Sequence, residues 1–271
     1  MSVPIPTWIK ATAGVLALGA VGAGAYYFGQ SKTAPVSTAA TSPINAAADP
    51  APTIQYPVAA VARQPAEVDS TPLPDLQDSD ASAIAELITL LSNATVATLL
   101  KPEFLIPRMV TTIDNLPRQR LNSHALPIKR VPGDFIIAAS GDEVFIAETN
   151  SARYDLYVNA FVVADNAQML ALYRRWYPLF QQAYRELGDP NAYFNDRLVE
   201  VIDHMLDAPD AAPPIAVLKP RSMWEFADPN LQSASIGHRL MRRLGPAHAA
   251  QIKAKLVELR AGVTALETTP Q

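Results

Sequence analysis

The folded part of this chain takes its character from the segment "YFNDRLVEVIDHMLDAP", residues 193–209. Four carboxylates and a histidine recur in it at helical spacing, and apolar side chains occupy the positions between them. This pattern predicts an amphipathic helix, opened by Asp189–Pro190, with one acidic and one apolar face. The acidic face consists of Asp196, Glu200, Asp203, His204 and Asp207, and the apolar face consists of Phe194, Leu198, Val201, Ile202 and Met205.

The acidic face raises the question of a metal or acid–base site. A zinc protease would need the HExxH pattern, and a carboxylate-bridged metal site would need Glu-x-x-His on two helices. Neither pattern occurs in the sequence. Nothing in the segment places one carboxylate in apolar surroundings, which is what separates the pKa values of an acid–base pair. The sequence therefore favours a structural face, with no catalytic residue, no metal and no cofactor.

Opposite charges are grouped along the chain. Residues 186–210 hold seven acids and one base, whereas residues 219–260 hold eight bases and three acids, and residues 101–130 hold six bases and two acids. The simplest prediction is that these blocks pair within one domain, although each exposed pair contributes little. The alternative is that the basic blocks meet an anionic partner, such as lipid headgroups or an acidic protein.

Composition excludes several classes of protein. The chain has no cysteine, so disulfides, thiolate metal sites and cysteine nucleophiles are absent. The six glycines after residue 30 are scattered, so neither a P-loop nor a dinucleotide-binding turn can form. A net charge of −4 over 271 residues does not indicate a nucleic-acid partner.

The N-terminus predicts a membrane anchor over residues 1–30. "ATAGVLALGAVGAGAYYF", residues 11–28, contains no charged residue, and Trp8 and Tyr26–Tyr27 flank it. A helix over residues 8–28 is long enough to cross a hydrocarbon core of about 30 Å. A cleaved signal peptide is the alternative, since "AGA" at residues 23–25 resembles a cleavage site. The anchor implies a bacterial inner-membrane protein with a cytoplasmic N-terminus and a periplasmic domain.

The next segment, residues 31–79, predicts a disordered linker. It contains eight prolines, no glycine and seven charged residues, and it is rich in alanine, serine and threonine. Such a composition buries too little apolar surface to offset the entropy lost on ordering. The linker therefore predicts a tether between the anchor and a single globular domain at residues 80–267, followed by a short disordered tail at residues 268–271.

The globular domain reads as a compact, mainly α, multi-helix domain with one small β-hairpin. Apolar spacing predicts a helix over residues 80–100, and Pro102 is a favourable first residue for the next helix. Two β-rich runs surround Gly141–Asp142, which is a two-residue hairpin signal. Asp165 and Gln168 form a capping-box pattern at the start of a helix that Pro178 is expected to kink or divide.

Three further patterns complete the helical prediction. Residues 213–229 read as extended chain, residues 231–245 as a helix closed by Gly245, and Pro246 as the start of the last helix. The last helix carries an apolar seam that predicts packing within the domain, with a coiled-coil dimer as the alternative. The aromatic stripe Tyr173, Trp176, Tyr177, Phe180 and Tyr184 predicts core, although a stack of rings also suits a sugar-binding surface.

Several phrases resemble one family. They are "IDNLPRQRL" (113–121), "SARYDLYV" (151–158), "LYRRWYPLFQQAYRELG" (172–188), "FNDRLVEVIDHML" (194–206), "FADPNL" (226–231) and "GPAHAAQIKAKLVELR" (245–260). The chain is similar, over residues 76–260, to bacterial proteins known as a domain of unknown function, number 3014. The resemblance implies a membrane-anchored envelope protein with a Pro/Ala-rich tether, and it implies no activity, cofactor or catalytic residue.

These observations favour a binding or scaffolding module over an enzyme, with another envelope protein as the partner. The alternative is an enzyme that acts on cell-wall glycan or peptide, using the acidic face and the aromatic stripe. A third hypothesis is binding to a lipid surface through the basic blocks. The residues predicted to carry binding are Asn195, Asp196, Arg197, Asp203 and His204, together with Arg118 and Arg153 from the phrases that carry the resemblance.

Overall fold

A computed structural model describes residues 53–58, 72–91 and 94–266 of the chain. Within these ranges the chain is mainly helical, as predicted, and strands occupy only a small part of it. In the same ranges, no helix is both long enough and apolar enough to cross a bilayer. The predicted anchor, residues 1–30, and the predicted tail, residues 268–271, lie outside the described residues.

The helical body is organised around the last helix. The helices are α1 (Asp80–Leu91), α2 (Ala94–Leu99), α3 (Leu105–Asn115), α4 (Asp155–Val163), α5 (Asn166–Arg185), α6 (Phe194–Leu206), α7 (Pro229–Ser233), α8 (Ile236–Leu244) and α9 (Pro246–Thr264). Helix α9 contacts α4, α5, α6 and α8, so it lies at the centre of the body. Short 3-10 helices cover Leu76–Asp78, Ser123–Ala125 and Glu148–Tyr154.

Aromatic side chains form much of the core. Tyr173, Trp176, Tyr177 and Phe180 of α5 are buried, and Tyr184 is half-buried against the same cluster. Phe194 at the start of α6 stacks on Phe180, with 5.7 Å between the ring centroids. Each fully buried large apolar side chain contributes roughly 1.5–3 kcal/mol to stability. The prediction that the aromatic stripe is core is confirmed.

The apolar seam of α9 also faces inward. Ile252, Leu256, Leu259 and Val263 of the helix, and Leu266 just after its end, are all buried in the core. The predicted start of this helix at Pro246 is confirmed. Since the domain itself covers the seam, the residues that suggested a coiled-coil dimer are used for packing within the domain.

The start of α3 differs from the prediction. Pro102 is not its first residue, because the helix begins at Leu105 after Phe104, which adopts a left-handed conformation with φ 56°. The carboxylate of Asp80 in α1 accepts the backbone N–H groups of Phe104 at 2.6 Å and Leu105 at 2.7 Å. Two of the N–H groups exposed at the helix start are therefore bound from a neighbouring helix.

Helices α5 and α6 also differ from the prediction, α5 at Pro178 and α6 at its first residue. Helix α5 continues through Pro178 as one helix, so the predicted division into two helices does not occur. Its capping residue is confirmed, since Asp165 accepts the N–H of Gln168 at 2.9 Å. Helix α6 begins at Phe194 instead of after Asp189–Pro190, where Asp189 accepts the N–H of Asn191 in a turn at 2.9 Å.

The segment predicted as one helix over residues 231–245 forms α7 and α8. Ser235 separates them and caps α8, because its hydroxyl accepts the N–H of His238 at 3.1 Å. Helix α8 ends at Leu244, and Gly245 follows with φ 84°, as the prediction of a closing glycine requires.

The predicted hairpin forms, and a second strand pair accompanies it. Strand β1 (Ile137–Ser140) pairs antiparallel with β2 (Glu143–Ile146) across the Gly141 turn. Strand β3 (Val217–Leu218) pairs with β4 (Glu225–Phe226), in the stretch predicted only as extended chain. The prediction of a single hairpin is therefore wrong. An isolated bridge between Phe145 and Ala216 connects the two pairs around a small apolar cluster.

Two pieces of the predicted linker contact the helical body. Residues 72–79 include Leu76, which is buried, and Leu73, which packs against the core. Residues 53–58, named the strap here, lie against helix α6 and place Tyr56 and Val58 against the same core. The domain boundary predicted at residue 80 therefore does not mark where contact with the body begins.

Candidate functional site

The start of α6 is held by the buried side chain of Gln181 in α5. Its Oε1 accepts the backbone N–H of Phe194 at 2.9 Å and the hydroxyl of Tyr177 at 2.9 Å, and its Nε2 donates to the carbonyl of Ala192 at 2.8 Å. Tyr193 occupies the N-cap position and provides no capping bond. Gln181 takes over that task, so the first turn of α6 is set by the core.

Asn195 is fully buried and joins four parts of the fold. Its Oδ1 accepts the hydroxyl of Tyr173 at 3.0 Å, and its Nδ2 donates to the carbonyl groups of Val263 at 3.1 Å and Tyr56 at 2.8 Å. Burial also raises the pKa of Tyr173, so that hydroxyl keeps its proton and donates. The amide of Asn195 thus links α5, α6 and α9 to the strap.

Asp196 and Tyr193 bind the strap through its main chain. The two carboxylate oxygens of Asp196 accept the N–H groups of Gln55 at 2.9 Å and Tyr56 at 2.8 Å. The hydroxyl of Tyr193 accepts the N–H of Val58 at 2.7 Å. Tyr193, Asn195 and Asp196 together form what we name the backbone-binding site, because each of their hydrogen bonds to the strap is to a main-chain atom.

Asp203 pairs with Arg260 of α9 through two hydrogen bonds, of which the one from Nη2 measures 2.8 Å. These bonds raise the pKa of Arg260, and the nearby Tyr56 adds to the rise. One turn beyond the helix end, Asp210 pairs with Lys253 at 2.8 Å. The predicted pairing of the acidic block with the C-terminal basic block is confirmed at these two positions.

Arg197 and Arg118 meet at one carboxylate. Asp114 of α3, nearly buried, accepts Nε of Arg197 at 2.9 Å and Nη2 of Arg118 at 3.0 Å. Arg197 also donates to the carbonyl of Asp114 at 2.7 Å and to Glu200 at 2.9 Å. Arg197 and Arg118, both predicted site residues, therefore come together at Asp114, and the contacts of Arg197 hold α6 against α3.

His204 stacks on His238 of α8, with ring centroids 4.1 Å apart and planes within 6° of parallel. Nε2 of His204 lies 2.7 Å from the hydroxyl of Ser235, and Nε2 of His238 lies 2.8 Å from the carbonyl of His204. Burial lowers the pKa of His204, and the adjacent His238 lowers it further. The pair fastens the end of α6 to the start of α8.

Arg153 stands apart from the other predicted residues. It lies in the 3-10 helix Glu148–Tyr154 and donates to the carbonyl of Gly133 at 2.9 Å and to Asn150 at 3.3 Å. Asn150, fully buried, also accepts the N–H of Ile136 at 3.0 Å. Arg153 thus secures the segment before β1, and its hydrogen bonds in the described chain go to Asn150, Pro132 and Gly133 and not to α6.

This geometry does not support the alternative hypothesis of a cell-wall enzyme. The stripe that would stack on a sugar is enclosed in the core, and the carboxylates Asp196 and Asp203 are engaged by the strap and by Arg260. In the described ranges, no three His, Asp or Glu side chains come together in a way that could hold a metal ion. What the arrangement can do is bind the main chain of a segment that forms no regular helix or strand.

Sequence reasoning missed the partners that lie far along the chain. Asp114, Ser235 and His238 have no motif that links them to α6, and nothing in the sequence indicates that Tyr193, next to α6, binds residues 53–58. The composition around Tyr56 predicts a disordered tether and gives no sign of its contact with the domain. The signal available was local: "IQYPV", residues 54–58, is the one stretch of the linker where aliphatic and aromatic side chains flank a single proline.

Comparison with known proteins identifies one family. A family model described as "Protein of unknown function (DUF3014)" matches residues 105–260, which is more than half of the 271-residue chain. The match extends from the start of α3 almost to the end of α9. No curated protein and no solved structure matches the chain.

Proposed function

The chain belongs to the family described as Protein of unknown function (DUF3014), and from that premise we propose that it is a protein-binding module of the bacterial cell envelope. Residues 8–28 hold it in the inner membrane with the N-terminus in the cytoplasm, and residues 31–79 tether the helical domain in the periplasm. The domain binds a segment of another envelope protein through that segment's main chain.

The backbone-binding site is the observation that supports this proposal. Tyr193, Asn195 and Asp196 bind three N–H groups and one carbonyl of the strap, and none of these groups belongs to a regular strand or helix. Main-chain groups are common to all peptides, and recognition through them is how many domains hold extended partners. A helix surface with these acceptors already in position suits a protein ligand.

The tether predicted over residues 31–79 is a second argument for the proposal. A linker between a bilayer and a binding domain holds the domain at a high effective concentration near the membrane without fixing its orientation. This favours partners that are themselves attached to, or close to, the inner membrane.

The test is photo-crosslinking of the full chain in living bacteria. A photoreactive amino acid is placed at Glu200, which is exposed one turn after Asp196, and in a matched variant at Leu218 of β3, which is also exposed. We expect the Glu200 variant to yield discrete protein adducts that the Leu218 variant does not. Adding Asp196→Ala is expected to reduce the adducts at least about fivefold, because a charge-assisted acceptor of two N–H groups is lost.

Asp207→Ala is the matched control for that substitution, since it removes a carboxylate from the exposed end of the same helix. It is expected to leave the adducts unchanged. The proposal fails if no reproducible protein adduct forms at Glu200, or if the two crosslinking positions capture the same proteins.

A further inference from the structure

The strap contacts the domain in the way that a bound peptide does, through main-chain hydrogen bonds and packed side chains. Residues 55–58 contain three main-chain N–H groups, because Pro57 has none. All three donate to side chains of the backbone-binding site: those of Gln55 and Tyr56 to Asp196, and that of Val58 to Tyr193. A proline at position 57 therefore leaves no donor unbound in this stretch.

The side chains of the strap divide into two groups. Tyr56 and Val58 are half-buried and pack against the core of the domain, whereas Ile54 and Gln55 are exposed. The chain bends at Gln55 and Tyr56, so one carboxylate accepts two consecutive N–H groups, and the side chains of both Tyr56 and Val58 still pack against the domain. The domain surface thus accepts an aromatic and an aliphatic side chain separated by one residue.

The domain side of the contact is held rigidly. Asn195 is buried and bonded to α5 and α9, so its Nδ2 is fixed where the carbonyl of Tyr56 meets it. Gln181 sets the first turn of α6 and hence the direction of Asp196. A site that is built before its ligand arrives loses little entropy on binding, which favours affinity for a short segment.

We propose that this surface is a peptide-binding site selective for a segment that has the pattern aromatic–proline–aliphatic and bends before the proline, and that the strap occupies it as an internal competitor that a partner's segment displaces. This inference rests on the proposed function and adds to it the class of ligand and its regulation. The strap is more than 130 residues away from the site along the chain, so the contact is a tertiary docking and not a local turn.

An internal competitor lowers the apparent affinity for a partner by the fraction of time the site is free. A short tether holds the strap near the site at an effective concentration of about 1 mM. A partner's segment therefore displaces the strap only if it binds tightly or is itself held near the membrane. The strap therefore restricts the domain to partners of matching sequence, and keeps the site closed to other peptides.

The first experiment measures binding of a fluorescein-labelled peptide that carries residues 53–58, "TIQYPV", to the purified full chain. The variant Tyr56→Ala/Val58→Ala weakens the internal strap without altering the domain surface. We expect this variant to bind the peptide at least about tenfold more tightly than the unaltered chain, since the competitor is weakened. Adding Asp196→Ala is expected to abolish binding, whereas adding Asp207→Ala leaves it unchanged.

The second experiment needs no variant. Hydrogen exchange at Gln55, Tyr56 and Val58 is followed in the unaltered full chain while excess unlabelled peptide is added. Displacement is expected to increase exchange at these three amides. A peptide methylated on the nitrogens that correspond to Gln55 and Tyr56 is expected to have no effect, because it lacks the two donors that Asp196 binds.

Equal affinity of the unaltered and strap-weakened chains, or exchange that is indifferent to the peptide, would overturn the inference. These outcomes are separate from those of the crosslinking experiment. Adducts at Glu200 without peptide displacement leave the proposed function standing and remove the internal competitor. Peptide displacement without adducts supports the site and its ligand class and removes the envelope partner.

Discussion

At the scale of single residues, Asp114 and Asn195 hold α6 in place from opposite sides. Asp114 receives two guanidinium groups, and its side chain is only 10% exposed. Asn195 uses its whole amide in three hydrogen bonds. Both are polar groups inside the protein. Removing either one destabilises the fold largely because its hydrogen-bonding partners are left unbound.

Asp114→Ala is expected to destabilise the domain substantially. The substitution leaves Arg197, whose side chain is 21% exposed, without its buried carboxylate partner. Loss of one member of such a pair costs about 2–4 kcal/mol, which thermal and urea unfolding would detect as a lower midpoint.

Asp210→Ala provides the control, because the Asp210 side chain is 91% exposed and its pair with Lys253 is open to solvent. We expect its unfolding midpoint to stay close to that of the unaltered protein. Equal midpoints for the two variants would show that the Asp114 pair is not a structural contact of the kind described.

At the scale of elements, α6 and α8 pack unusually closely at Gly237. A Cβ on this residue would lie 2.3 Å from Sδ of Met205 and 3.2 Å from the carbonyl oxygen of Leu116. The backbone of α8 also donates there, since the N–H of Gly237 bonds to the carbonyl of Leu116 at 2.8 Å. The glycine is therefore required by the distance between elements and not by its backbone conformation.

Gly237→Ala is accordingly expected to destabilise the protein by about 1–3 kcal/mol, because the added methyl group must displace Met205 and press on a fixed carbonyl. The measurement is the free energy of unfolding in urea. Met205→Ala in the same chain is expected to recover part of that loss, relative to the sum of the two single substitutions. Strict additivity would contradict the predicted contact.

The histidine pair between the same helices predicts a pH dependence. Burial and the neighbouring His238 lower the pKa of His204, opposed by Asp207. The unfolded chain therefore takes up a proton at a higher pH than the folded chain. Stability is fully present above the unfolded pKa of about 6.5 and decreases as the pH falls through the interval down to the lowered value.

We expect the difference in unfolding midpoint between about pH 7.5 and pH 5.5 to be smaller in His204→Gln than in the unaltered protein. Other titrating groups contribute to both proteins, so the comparison isolates this histidine. His124→Gln, a change at an unstacked histidine in a different part of the fold, is the control and is expected to keep the full difference. An unchanged difference in His204→Gln would refute the assignment.

At the scale of the whole molecule, Arg243 joins the helical body to the small strand layer. It is 2% exposed, and its guanidinium lies 4.5 Å from the centre of the Phe226 ring. Burial lowers its pKa to about 10, with Tyr154 acting in the opposite direction. A cation–π contact of this kind couples the two apolar clusters into one unit.

The absence of cysteine permits a direct test of the predicted topology. Val163→Cys introduces a thiol at a position that is 82% exposed, and Ser2→Cys introduces one in the predicted cytoplasmic tail. A maleimide that cannot cross the inner membrane is expected to label only Val163→Cys in intact cells with a permeabilised outer membrane.

Both variants are expected to be labelled after lysis, and the intact chain is expected to sediment with membranes. Labelling of Ser2→Cys alone in intact cells would reverse the orientation. A chain that stays soluble after fractionation would remove the anchor, and with it the tether's role in raising the local concentration of the binding domain.

The sequence by itself determined the mainly helical class, the hairpin at Gly141 and most helices, since apolar spacing, glycine and capping residues act within a few positions of each other. It also determined that α6 has a polar and an apolar face. The start of α3 and the second strand pair depended on Asp80 and Phe145, which act across the fold. Local patterns carry no information about such partners.

Only the tertiary structure decided what the polar face of α6 meets. Its contacts are Asp114, Arg260 and His238, which belong to three other helices, and the strap. The composition around the strap is typical of a tether. The composition of a segment indicates only whether that segment can bury enough apolar surface to become ordered by itself. The strap is held by acceptors and a core that the helical body has already assembled, so its contacts require that body as well as its own Tyr56 and Val58.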